Sequence, residues 1–107
     1  MGGMRILCVD NQAEEMAVLT YMLEGIGYEV MTATNGGQAL DLFRKQAIDG
    51  VLVDYDLPDA SGTAVRAQLK AMRPDIPILI FEGVGRQTPF MLRFFDSYLR
   101  NAERFDD

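Results

Sequence analysis

Four times in this chain a short apolar run stops at an acid or a turn residue and gives way to a stretch of helical spacing. That alternation constrains the fold more than any other feature. Ile6-Leu7-Cys8-Val9 halts at Asp10-Asn11, and a run so short and unpatterned reads as a strand covered on both faces. Over residues 14–25, Met16, Leu19, Met22, Leu23 and Ile26 fall near a 3.6-residue period, and Gly25 or Gly27 closes the helix. Residues 28–33 predict a second strand. Asn35-Gly36-Gly37 then breaks the chain, and Ala39, Leu40, Leu42 and Phe43 mark a helix running to about Gln46. Val51-Leu52-Val53 is a third buried strand, residues 57–62 form a loop, and Val65, Leu69 and Met72 stripe a helix closed by Pro74. Residues 76–81 make the fourth strand, with Pro77 near its start, where a missing N–H does least harm. Such alternation implies a parallel sheet with right-handed crossovers and helices on both faces. The length, 107 residues, sets the expectation of one domain over 1–107.

Composition narrows the chemistry. With 16 Asp+Glu against 10 Lys+Arg and a net charge of −6, the chain lacks the basic face that phosphate neutralisation needs, so no nucleic acid partner is expected. It holds no His and a single cysteine, Cys8, which excludes an internal disulfide and any Cys/His zinc cluster. A bound metal must therefore use oxygen ligands. No run approaches the ~18 apolar residues of a membrane helix, and the N-terminus has no signal-peptide core. The expectation is a cytoplasmic chain with no membrane partner. Cys8 reads as packing in a buried strand, and Met16, Met22 and Met72 as core positions on helical stripes. Phe90-Met91-Leu92 with Phe94-Phe95 is denser than one helix face needs, so it divides between core and interface.

In open α/β sheets, function collects beyond the carboxyl ends of the strands. There this sequence places Asp10-Asn11 after the first strand, Asp54 and Asp56 after the third, and Glu82 after the fourth. Asp and Asn commonly start turns and cap helices, which accounts for any one of these residues singly. Four acids at one rim are harder to dismiss. Asp54 directly continues an apolar run and should be partly buried beside Asp10, and two such carboxylates repel unless a cation or a shared proton intervenes. Mg²⁺ fits, since it takes carboxylate, amide and carbonyl oxygens.

Asp54-Tyr55-Asp56-Leu57-Pro58, with Gly62 eight residues after Asp54, resembles the phospho-acceptor segment of response-regulator receiver domains. Gly25-Ile26-Gly27-Tyr28-Glu29-Val30, Ala33-Thr34-Asn35-Gly36 and Gln38-Ala39-Leu40 resemble the stretch from that family's first helix through its second. Asp75-Ile76-Pro77-Ile78-Leu79-Ile80 resembles the approach to its fourth strand, and Asp96-Ser97-Tyr98-Leu99 its fifth. The resemblance covers about residues 4–101, leaving 102–107 as a short polar tail. It implies a flavodoxin-like, doubly wound parallel sheet of five strands in the order 2-1-3-4-5. It further implies that Asp54 accepts a phosphoryl group from a histidine kinase or phosphotransfer protein. Asp10 matches the first of two metal-holding acids, and the Asp56 carbonyl falls where the family supplies a ligand. The implied Mg²⁺ set is thus Asp10, Asn11, Asp54 and Asp56, with weak binding, and Tyr98 lies where the family keeps a switch aromatic.

Three positions depart from the family. Asn11 stands in place of the second acid, Glu82 in place of a hydroxyl residue that contacts the phosphoryl group, and Asn101 where the family has a lysine. An ionised carboxylate cannot donate the missing hydrogen bond. The 16 residues from Glu82 to Tyr98 predict a short fourth helix, and the few residues after Asn101 leave the fifth helix missing. One face of the apolar fourth strand would then lie bare, which predicts a homodimer or a docked partner helix, with Phe105 and the Phe90 to Phe95 cluster as contributors. The functional expectation is a stand-alone, atypical receiver that is no enzyme and signals through a separate output protein. The alternative is a pseudo-receiver that docks partners without phosphorylation. A flavin or nucleotide binder is disfavoured, because no Gly-rich loop follows the first strand.

Overall fold

A parallel strand whose inner residues are all apolar must be covered above and below, and two such strands form the centre of this sheet. The computed structural model describes residues 3–105. In chain order it contains β1 (Arg5–Val9), α1 (Ala13–Ile26), β2 (Glu29–Ala33), α2 (Gly36–Lys45), β3 (Gly50–Asp54), α3 (Gly62–Met72), β4 (Ile78–Phe81) and α4 (Thr88–Phe105). The strands pair in parallel in the order β2-β1-β3-β4, a flavodoxin-like fold with helices on both faces. Ile6 to Val9 and all of β3 are buried.

Alternation along the strands sorts the core into two layers. Leu7, Val9, Val51 and Val53 face Phe43 of α2 and Val65 and Leu69 of α3. Ile6, Cys8 and Leu52 face Leu19 and Leu23 of α1 and Leu92, Phe95 and Leu99 of α4. Local chemistry sets the helix ends. Gly27 closes α1 at φ 115°, a left-handed conformation that side chains disfavour, while Asn35 and Ser61 cap α2 and α3 by accepting the Gln38 and Ala64 N–H groups. Pro89 stands in the first turn of α4, where its missing N–H costs nothing.

The final segment corrects several expectations. Among the described residues there is no fifth strand: Asp96, Ser97, Tyr98 and Leu99 lie within α4, which is long rather than short at 18 residues. No separate fifth helix follows among the described residues. Instead α4 covers the α1 side of the sheet, because Leu92, Phe95 and Leu99 recur at helical spacing and are all buried. Leu99 reaches so far under the sheet that a Cβ on Gly50 would lie 2.5 Å from its methyl carbon. The bare face that motivated a homodimer is therefore filled by the chain itself. Residues 102–105 continue α4 instead of forming a tail, and the Phe105 side chain, Asp106 and Asp107 lie outside the described residues. Phe90 and Phe94 face solvent while Leu92 and Phe95 are buried, so the core half of that cluster is as expected. Met16 and Cys8 are core, but Met72 and Ile26 are exposed.

Polar contacts pin α4 as well. The Tyr28 hydroxyl donates to Asp96, and Arg100 Nε donates to both Asp96 oxygens at 3.1 Å. Partial burial pushes the Asp96 carboxyl up, but Tyr28 and Arg100 more than offset this and hold it below the usual range. No helix among the described residues is long and apolar enough to cross a membrane.

Two outcomes are expected. Phe95→Ala should cost about 3–5 kcal/mol in urea unfolding, whereas Phe94→Ala, at a 60% exposed position, should stay within about 0.5 kcal/mol. Because Asp96 is depressed in the folded chain, its contribution is fully present above the unfolded carboxylate value near about 3.9 and is lost as pH falls through the lower folded value. Asp96→Asn should flatten that acid limb of a stability–pH curve.

Candidate functional site

The carboxyl rim of the sheet gathers its acids through the ends of β1 and β3, which run side by side. Asp10 follows β1 and extends the ladder by donating its N–H to the Ala33 carbonyl at 3.0 Å. Its Oδ1 accepts the Gln12 N–H at 2.9 Å, while Oδ2 is buried without a hydrogen-bond partner. Asp54, the last residue of β3, is 8% exposed and accepts the Asp56 N–H at 3.3 Å. Glu15, in the first turn of α1, completes the cluster: one oxygen from each of Asp10, Glu15 and Asp54 lies within 4.8 Å of the others.

Electrostatics follow from that crowding. Burial, opposed by the Gln12 N–H and reinforced by Glu15 and Asp54, pushes Asp10 up to about 7. Burial first, then the Asp10 and Asp54 charges, push the Cys8 thiol up to about 12. Cys8 is thus an inert packing group at neutral pH.

The loop after Asp54 is held by its own backbone. Tyr55 N–H donates to the Phe81 carbonyl at 2.8 Å, Gly62 N–H to the Tyr55 carbonyl at 2.7 Å, and Leu57 N–H to the Ala60 carbonyl at 3.2 Å. Buried Leu57 anchors its tip. Gly62 is required by contact: a Cβ there would collide with the Asp54 carbonyl oxygen and lie 3.0 Å from the Tyr55 Cα. Asp59 ties the loop to α2 by accepting the Gly36 and Gly37 N–H groups at 2.8 and 3.0 Å, bonds that hold its carboxyl low.

A cavity of about 340 Å³ opens over Asp54, lined by Gln12, Glu15, Tyr55, Asp56, Glu82 and Gly83. It brings Asp54, Asp56 and Glu82 together as expected, and none of its lining residues is Lys or Arg. Asn11 lines a different cavity with Thr32 and Thr34 beside α1, which Asp10 also borders. Tyr98 and Asn101 are not at this rim. Tyr98 sits on α4 against the Phe94 ring, centroids 6.3 Å apart, next to Leu99, which packs beside Gly50 at the far end of β3 from Asp54. Asn101 follows on the same helix and is exposed. Among the described residues the strand that would have carried both to Asp54 is absent, so the places expected for the switch aromatic and the lysine are not filled by these residues. Glu15 is the residue sequence reasoning missed. An acid in a first helical turn has an ordinary reason to be there, favourable interaction with the helix dipole, but its spacing four residues after Asn11 was the available signal.

The response regulator receiver domain family matches residues 6–95, and the chain belongs to that family. ZraR of Escherichia coli K12, a transcriptional regulatory protein, is 40% identical over 75 residues, covering 70% of this chain and 17% of ZraR. The chain spans about a sixth to a third of the length of the first curated relatives it matches. PilH of Pseudomonas aeruginosa is 38% identical over 86 residues, 78% of this chain and 71% of PilH. Among solved structures, TrrA of Thermotoga maritima with Mg²⁺-BeF superposes with TM-score 0.71 at 33% identity, over 73% of this chain and 68% of TrrA. TrrA in complex with the histidine kinase ThkA matches with TM-score 0.71 at 32% identity, over 75% of this chain and 69% of that one.

Gly62→Ala should lower stability by about 1–3 kcal/mol, the usual cost of forcing backbone aside. Chemical denaturation checks it.

Proposed function

We propose that this receiver accepts a phosphoryl group on Asp54 from a histidine kinase or phosphotransfer protein and passes the signal to a separate output protein. The observation that carries the reading is the placement of Asp54. It ends a buried strand, its carboxylate opens into an acid-lined cavity, and its loop is tied down on both sides. Support for the donor comes from TrrA, solved in complex with the kinase ThkA. A cytoplasmic location belongs to the same reading.

In the transfer, an Asp54 oxygen attacks phosphorus in line. The P–O bond forms as the P–N bond to the donor imidazole breaks, and the released imidazole takes up a proton. Asp56 donates its N–H to the Asp54 carboxylate, which orients the nucleophile. The orphaned, buried Asp10 oxygen and the convergence of carboxylates fit a hard divalent cation. Mg²⁺ would be held by Asp10, Asn11, Asp54 and the Asp56 carbonyl, with weak affinity, and when bound supplies positive charge to the phosphoryl oxygens. TrrA, solved with Mg²⁺-BeF, supports that assignment. Glu82 opposes the product, since two unit charges ~4 Å apart interact by about 4 kcal/mol at an effective dielectric near 20.

The second reading, phosphorylation-independent docking, is favoured by the lack of Lys or Arg among the residues lining the cavity. For assembly, a homodimer draws its remaining support from the β4 edge, where uncharged Ile78-Leu79-Ile80-Phe81 has no outer neighbour among the described residues. A strict monomer in sedimentation at micromolar concentration would end that part.

Incubation with a small phosphodonor and Mg²⁺, followed by intact mass measurement, decides between the two readings. A gain of one phosphoryl group that is absent in Asp54→Asn supports the acceptor, and no gain supports docking alone. Glu82→Thr should raise occupancy by removing repulsion and adding a hydroxyl donor.

A further inference from the structure

We infer that Glu15 is a ligand of the divalent cation at this rim, supplying from the first turn of α1 the carboxylate that Asn11 lacks. The inference rests on the metal reading above and names the residue that reading leaves out. Asn11 offers only a neutral amide where it stands beside Asp10, and the two line the cavity next to α1 together. Glu15 borders the cavity over Asp54, lies in the first turn of α1 four residues after Asn11, and is half-buried where its neighbour Glu14 is exposed. Its carboxylate lies near Gly83, which lines the same cavity, with Oε2 3.5 Å from where a Cβ on Gly83 would stand.

A trio of acids alone would be no site. Here a second observation points to a ligand: Asp10 is fully buried and its Oδ2 has no hydrogen-bond partner. A buried polar atom left without a partner is costly, and a cation is one group that satisfies it. Oxygens ligating one ion at roughly 2.0–2.6 Å lie up to about 5 Å apart, so three oxygens within 4.8 Å of one another suit a single ion. The ordinary explanation for Glu15 is favourable interaction with the helix N-terminus. Glu14 shares that turn and that explanation but is not in the cluster, which makes it the control.

The test is calorimetric titration of the full chain with Mn²⁺ and with Mg²⁺, in wild type, Glu15→Gln, Glu14→Gln, Asp54→Ala and the double variant Glu15→Gln with Asn11→Asp. Loss of a carboxylate ligand should weaken binding at least about ten-fold in Glu15→Gln. Glu14→Gln should stay within about two-fold of wild type, and the double variant should recover most of the loss by returning the charge to position 11. Circular dichroism of each variant confirms that the helix is intact. Wild-type binding that is lost in Asp54→Ala but unchanged in Glu15→Gln would overturn the role of Glu15 and leave the metal site standing. Equal weakening in Glu14→Gln and Glu15→Gln would also overturn it, in favour of a general charge effect. Wild type that takes up neither ion at millimolar concentration would overturn the metal reading, and Glu15 with it.

Discussion

The structure depends on burying both faces of two apolar strands at the centre of a parallel sheet. β1 and β3 place side chains alternately toward α2 with α3 and toward α1 with α4, so neither layer is optional. Leaving either open would expose several large side chains, each worth roughly 1.5–3 kcal/mol, against a domain stability of about 5–15 kcal/mol. On the α1 side the cover comes from Leu92, Phe95 and Leu99, and Gly50 admits them because it has no side chain where Leu99 and Phe95 approach. One glycine at the start of a strand thus sets how closely the last helix can lie.

The same burial that stabilises the sheet gives its rim unusual chemistry. Parallel neighbours end together, so the acids that terminate β1 and β3 are brought side by side and partly out of water. Asp10 cannot relax into solvent, which is why its carboxyl rises and one oxygen stands unsatisfied. Asp54 keeps a small opening to the cavity. A stiff loop carries the rest: Leu57 anchors it, Asp59 binds it to α2, and Gly62 lets the chain turn tightly back over Asp54. The structure treats the expected site residues differently. Glu82 changes the charge at the rim itself, while Tyr98 and Asn101 are removed from it because the segment that holds them is helical.

Covering the α1 face and completing the rim compete for the same residues. A strand over residues 96–99 would have brought an aromatic and a polar residue to the rim beside Asp54, but it would have left β1 and β3 without their outer layer. The helix buries three large side chains and gains the Tyr28 and Arg100 contacts to Asp96, and no compensating set is visible for the strand.

By itself the sequence determined the four strands, the first three helices, the parallel sheet and the meeting of Asp10, Asp54, Asp56 and Glu82 at one rim. These follow from short-range patterns: apolar runs of strand length, 3.6-residue stripes, glycine and asparagine breaks, and acids next to strand ends. Only the tertiary structure decided the fate of residues 88–105. Leu92, Phe95 and Leu99 stand at helical spacing, but Asp96-Ser97-Tyr98-Leu99 was expected as a strand from its resemblance to the family's fifth, and local pattern cannot weigh an uncovered sheet face several residues away. Glu15 was missed for a related reason. Its place in a first helical turn is explained locally, and its approach to Asp10 and Asp54 exists only once α1 has packed across the end of β1.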